Sequence, residues 1–333
     1  MKTRSLLAFL LVAATACSAC GEVTPESVRA AAAYSASHKG ASLLIVQNGK
    51  TLHEQGANEG RRIFSGTKAF WCLAALAAAQ DGLLDLDERV AETIPEWRND
   101  PRKSRVTIRQ LLEFSAGLEQ GLRLHRDNPG DRDAIAIKLP ILAEPGSAFI
   151  YGPSQLQVFH AVLKAKLGGK PPRAYLERRV LSRLGLGRQR YLEDSAGNPL
   201  LAAGWALSAR QWAKIGQLAV KGGSPVVSSG TFSQAVRGSS ANQAYSFGWW
   251  NNRAAPGGRE FDFEAALTPK WHSQSWSNAA ICNAAPSDLV MCVGSRYQRL
   301  YAIPSLGLVV VRHGSGGSFS DARFLRLLLG RER

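Results

Sequence analysis

Metal-binding side chains are sparse in this sequence. Its five cysteines and six histidines are scattered over 333 residues, and no His/Cys grouping has the spacing of a zinc site. The lone Cys-x-x-Cys, Cys17 to Cys20, falls in the N-terminal leader. No metal and no cofactor are expected. The chain also lacks the Gly-Lys-Ser/Thr ending of a phosphate loop, and it lacks the Gly-x-Ser-x-Gly that marks a nucleophile elbow. There is no low-complexity tract and no internal repeat. Past the leader, no apolar run is long enough to span a bilayer.

What is present is a basic chain, with 41 Lys and Arg against 26 Asp and Glu. These charges are spread along the sequence without a dense run, which argues against nucleic-acid binding and for solubility or attraction to an anionic envelope. With 45% hydrophobic positions, the chain can bury a large core.

Residues 1–20 run from Lys2 and Arg4 through apolar Leu6 to Ala14 into small residues, the layout of an export signal. Export would place the mature chain in the periplasm or cell envelope. Ala14 to Cys17 and Cys17 to Cys20 both resemble lipoprotein cleavage sites, so a lipid anchor on Cys17 or Cys20 stands beside ordinary cleavage. An exported chain tolerates disulfides. Cys282 and Cys292 flank a short Pro-containing segment and are expected to be able to pair, leaving Cys72 buried on an apolar helix.

Periodicity and turn residues organise the remainder. Pro25 to Ser37 reads as a helix capped by Thr24, and Ala41 to Val46 as a buried strand. Asn48-Gly49 is a hairpin turn into Thr51 to Glu54. Helices are expected over Ser65 to Ala79, Ile108 to Phe114, Gln155 to Leu167, Ala174 to Leu184 and Ala209 to Val220. Strands return at Tyr245 to Trp250, Leu289 to Val293, Gln298 to Ile303 and Leu306 to Arg312. His313 to Gly317 reads as a turn into a last helix, Ser320 to Leu329. The expected fold is α/β of the α+β type: an antiparallel sheet built from both chain ends, flanked by helices. A mostly helical insertion, about residues 65–240, lies inside the domain of residues 21–333.

One constellation carries chemistry. Ser65 and Lys68 lie three apart, on one face of a helix. A serine hydroxyl is a weak nucleophile until a neighbour takes its proton. A lysine does so when burial keeps it neutral, and Ile63, Phe64, Phe70 and Trp71 provide apolar surroundings.

In this setting Ser65-Gly66-Thr67-Lys68 resembles the signature of the serine β-lactamase and penicillin-binding-protein superfamily, especially class C enzymes, family VIII carboxylesterases and 6-aminohexanoate-dimer hydrolases. Leu84-Leu86-Asp87, Val106 to Leu112, Gly117-Leu118, Pro145 to Tyr151, Gly248-Trp249-Trp250 and Gly294 to Arg312 continue the resemblance over nearly the whole mature chain. It implies that Tyr151 shares proton traffic with Lys68. As a base the tyrosine would need a lowered pKa. It also implies that Gly294 and Ser295 sit on the strand completing the oxyanion hole, with the Ser295 N–H as a donor. Two positions depart from the pattern. Pro153 stands where relatives carry an amide, with Gln155 the nearest replacement. Cys292 stands where they carry a cation, with Arg296 and Arg299 nearest. Trp249, Trp250, Trp271 and Trp276 are expected near the cleft, mostly in the core.

The implied activity is an acyl-enzyme hydrolase acting on a small ester, linear amide or peptide. The alternatives are β-lactamase or D-Ala-D-Ala carboxypeptidase activity, and a non-catalytic binding or sensor protein with a decayed site.

Overall fold

The computed structural model describes residues 23–266 and 271–332; the leader, with Cys17 and Cys20, lies outside them. Helix α1, Pro25–Ser37, starts where local chemistry puts it. The Thr24 hydroxyl accepts from the Ser27 N–H, the Ser27 hydroxyl accepts from the Thr24 N–H, and Pro25 occupies the turn whose N–H groups have no helical partner. Strands β1, Gly40–Gln47, and β2, Lys50–Gln55, are joined by Asn48 and Gly49. Both have positive φ, at 51° and 79°, matching the twist of a two-residue hairpin.

The chain then leaves the sheet until Tyr245. The stretch between is mostly helical and includes α2, Lys68–Gln80; α3, Ser154–Lys166; and α4, Ala209–Val220. It returns as β3, Tyr245–Ser246; β4, Trp249–Asn251; β5, Val290–Gly294; β6, Gln298–Ile303; and β7, Leu308–Gly314. Helix α5, Asp321–Leu328, follows. These strands form one antiparallel sheet in the order β2-β1-β7-β6-β5-β4-β3. The last strand inserts between the first and β6, so neither chain end completes the sheet alone.

Pleating sorts the two faces. Helix α4 packs on β6 and β7 from one side, while α1 and α5 pack together on the other. Tyr301 of β6 turns to that second side and stacks on Phe324 of α5, with centroids 5.8 Å apart.

Several expectations need correction. The run Tyr245 to Trp250 is two short strands, because Phe247 and Gly248 both take positive φ, at 48° and 83°, and fold Tyr245 back opposite Trp250. Ala174 to Leu184 is an α-turn, Pro172–Leu176, widening into a π-turn, Glu177–Leu181; there the Arg179 guanidinium grips Asp81 at 2.9 Å and the Val226 carbonyl at 2.6 Å. His313 and Gly314 belong to β7 rather than to the turn after it. Cys282 and Cys292 are not bonded to each other, and with Cys72 they are free and buried. Cys292 sits opposite Leu300 within the sheet, whereas the Cys282 thiol faces the Ala322 carbonyl of α5 at 3.5 Å, so the two belong to different surroundings.

Candidate active site

Ser65 lies in a 3-10 turn, Phe64–Thr67, that runs straight into α2. The sequence pattern predicts an α-helix from Ser65; the tighter turn eclipses positions i and i+3 instead. The Lys68 Nζ consequently stands 2.7 Å from the Ser65 Oγ. Phe64, just before the serine, has φ 46°, an uncommon conformation for a bulky residue.

Lys68 is 2% exposed. Burial lowers its pKa from the ordinary 10.5 to about 7, because a charged ammonium is disfavoured where water cannot reach it. Its second hydrogen bond goes to the Ala202 carbonyl, at 2.9 Å. Nothing in the sequence marks Ala202, since a backbone oxygen carries no residue signature.

The structure brings Tyr151 to the same place. Its hydroxyl hydrogen-bonds with Ser65, and its ring centroid is 4.6 Å from Lys68 Nζ. Phe114, Phe149, Tyr245 and Trp250 cage the ring at 5.3 to 6.5 Å. This enclosure pushes the Tyr151 phenol well above its usual range. Burial outweighs the opposing effect of the hydrogen bond with Ser65, so Tyr151 is a neutral phenol at physiological pH and Lys68 is the group able to be a base.

Gly294 ends β5, which packs against the Phe64–Thr67 turn. A side chain there would collide with the Ile63 carbonyl, so only glycine lets the strand come this close. Ser295 follows it into a turn where Arg296 and Tyr297 both hold positive φ, at 64° and 61°. Glu264, which the sequence did not single out, clamps that turn. Its carboxylate accepts from the Arg296 N–H at 2.5 Å and from the Tyr297 N–H at 3.2 Å. Arg299, fully buried, donates to the Gly294 carbonyl at 3.1 Å and pairs with Asp321 at 2.8 Å. It therefore supports the strand end from behind and does not stand in for the missing cation at Cys292. The Arg296 guanidinium donates to the Ser315 carbonyl at 3.2 Å.

Gln155 does not replace the amide absent at Pro153 either. It accepts from the Ala116 N–H at 3.0 Å and donates to the Ile150 carbonyl at 2.8 Å, which commits it to holding two loops. Trp249, Trp250 and Trp276 are buried in the core and Trp271 is half-buried. His125 lies near enough to Lys68 to feel its charge. Its side chain is open to solvent yet ringed by protein, and desolvation together with the charges of Lys68 and Arg132 lowers its pKa to about 4. Buried Arg132 shapes that segment by donating to the Leu124 and Arg126 carbonyls at 3.0 and 2.8 Å. Among the described residues no group of His, Cys, Asp or Glu could hold a metal.

The motif stretches also meet in space. Arg109 forks onto Asp87 at 2.6 and 2.8 Å, tying Val106 to Leu112 to the segment after α2. The family model described as beta-lactamase matches residues 28–282. The chain belongs to the beta-lactamase family. An acyltransferase, calJ of Penicillium decumbens, is 28% identical over 151 residues, covering 38% of this chain and 36% of the relative. The beta-lactamase fold recurs in a class C beta-lactamase from Rhodobacter sphaeroides, with TM-score 0.65 and 16% identity over 92% of this chain and 99% of that one. It recurs again in EstCE1, described as a hydrolase with promiscuous acyltransferase activity, with TM-score 0.64 and 18% identity over 92% and 97%. At such identities the likeness is one of fold.

Proposed function

We propose that this protein is a serine hydrolase that forms an acyl-enzyme on Ser65 and cleaves small esters or linear amides. The observation that carries this reading is the 2.7 Å contact between Ser65 Oγ and a lysine whose pKa lies at about 7. Neutral Lys68 takes the hydroxyl proton as Oγ attacks the carbonyl carbon. The N–H groups of Ser65 and Ser295 hold the oxyanion. Tyr151 gives its proton to the departing alkoxide or amine and regains one from the Lys68 ammonium. Water then repeats the sequence in reverse on the acyl group.

The substrate class follows from what surrounds the serine. Pro153 and Cys292 offer neither an amide nor a cation, and Gln155 and Arg299 are engaged elsewhere. Substrates whose recognition needs those groups, such as β-lactams carrying a carboxylate, are disfavoured against plain esters and amides. The acyltransferase description of calJ and the hydrolase description of EstCE1 are in keeping with this. The export-signal layout of residues 1–20 supports work outside the cytoplasm, in the periplasm or envelope, with Cys17 or Cys20 available for a lipid.

The deciding experiment treats the folded protein with a fluorophosphonate probe and with a fluorescent penicillin, then maps adducts by mass spectrometry. Labelling of Ser65 by the fluorophosphonate alone supports the esterase or amidase reading. Labelling by the penicillin as well moves the assignment to β-lactams. No adduct at Ser65 from either reagent rules out the hydrolase. The mass of the N-terminus, measured on protein recovered from an exporting host, reports cleavage and lipidation.

A further inference from the structure

Beside the edge strand β3 lies a cavity of about 650 Å³ that none of Ser65, Lys68, Tyr151, Gly294 or Ser295 lines. Its wall includes Arg109, Glu113, Arg237, Ser239, Arg253 and Asn278. Arg109 is already satisfied by Asp87 and by Gln234, which accepts from it at 3.1 Å. Arg237 and Arg253 are exposed, and among the described residues their guanidinium groups have no carboxylate or carbonyl partner. Glu113 is the reverse case. It is 6% exposed, borders the cavity, and its carboxyl makes no hydrogen bond with any described residue. The Glu113 side chain thus faces the cavity, and the two guanidinium groups on the same wall supply the planar forks that grip carboxylate or phosphate.

We propose that this cavity is a second binding site, for a small dianion, either a dicarboxylate or a phosphate-like tetrahedral oxyanion, held by Arg237 and Arg253 over Glu113. The proposal does not rest on the hydrolase reading. The charged groups acting on Glu113 are Arg109, Arg237 and Asp87. Burial outweighs the two arginines and raises its pKa to about 7, so the carboxyl loses its charge as pH falls through neutrality. Removing that negative charge favours an incoming anion, and affinity should rise as pH falls.

Isothermal titration at low ionic strength, at about pH 6 and about pH 8, tests this with tartrate and sulfate. Both stay ionised across the range, and they separate a carboxylate site from a tetrahedral-anion site. The expected result is saturable one-to-one binding of one of them, several-fold tighter at the lower pH. The R237A/R253A variant, whose changes are at the surface and leave the core intact, should bind about tenfold or more weakly. E113Q should bind at the higher pH as tightly as the native protein does at the lower. No saturable binding of either anion, or binding that survives R237A/R253A unchanged, overturns the proposal.

Discussion

The ammonium group of Lys68 donates to the carbonyl of Ala202, 134 positions along the chain, at 2.9 Å. This bond aims Nζ at Ser65 while leaving it in a dry pocket. The orientation of this amine thus comes from a backbone oxygen, and its lowered proton affinity comes from burial.

If Lys68 is the base, kcat/KM should rise with pH through about 7 as the ammonium loses its proton. K68M should lower the rate by about 10²–10⁴-fold and also change stability in a defined sense. The folded pKa lies below the unfolded value of 10.5, so burying the charge costs stability fully below about 7. That cost fades as pH rises toward 10.5. K68M should therefore be more stable than the native protein in mild acid, by an advantage that shrinks on the alkaline side. Denaturant titrations across pH, set beside the rate profile, check both halves.

Gly294 lets β5 meet the serine turn, so G294A should force the two backbones apart. We expect a loss of about 1–3 kcal/mol in stability, typical of overpacking, together with slower acylation of Ser65. Thermal unfolding and the rate of fluorophosphonate labelling measure the two effects separately.

Glu264 holds the turn that carries Ser295, and E264Q retains only one acceptor oxygen for the two N–H groups of Arg296 and Tyr297. Amide exchange at those two residues should quicken. If the Ser295 N–H is the oxyanion donor, kcat should fall by about tenfold, with KM less affected, because the donor is displaced rather than removed. Faster exchange with unchanged kcat would show that the turn does not serve the reaction.

Arg299 and Asp321 pair where their side chains are 0% and 1% exposed, and Tyr301 donates to the same carboxylate. D321A removes the nearer of the two carboxylates on the buried guanidinium, leaving only Glu264 at 3.4 Å, takes the acceptor from Tyr301, and should cost about 3 kcal/mol. Urea unfolding gives the value. A loss below about 1 kcal/mol would mean that water reaches the arginine.

Much of this molecule was written in local pattern. The Thr24 cap, the Asn48-Gly49 hairpin, the buried runs of β1, β6 and β7 and the helix over Ala209–Val220 follow from periodicity and turn chemistry. The spacing of Ser65 and Lys68 is itself local, so the pairing survives even though its turn is 3-10 rather than α-helical. The placement of Tyr151 and Gly294 beside the Ser65 turn was legible because the order of motifs along the chain resembles a family.

What the tertiary structure alone decided are the relations between residues far apart. The direction of Arg299, the clamp of Glu264, the engagement of Gln155 and the separate surroundings of Cys282 and Cys292 depend on which face of the sheet each residue takes and on what packs there. The protonation states of Lys68 and Tyr151 depend on the same enclosure: burial lowers one pKa and raises the other. A sequence specifies which groups are available; burial and distance, which only the assembled fold supplies, set the charge each carries and the partner it meets.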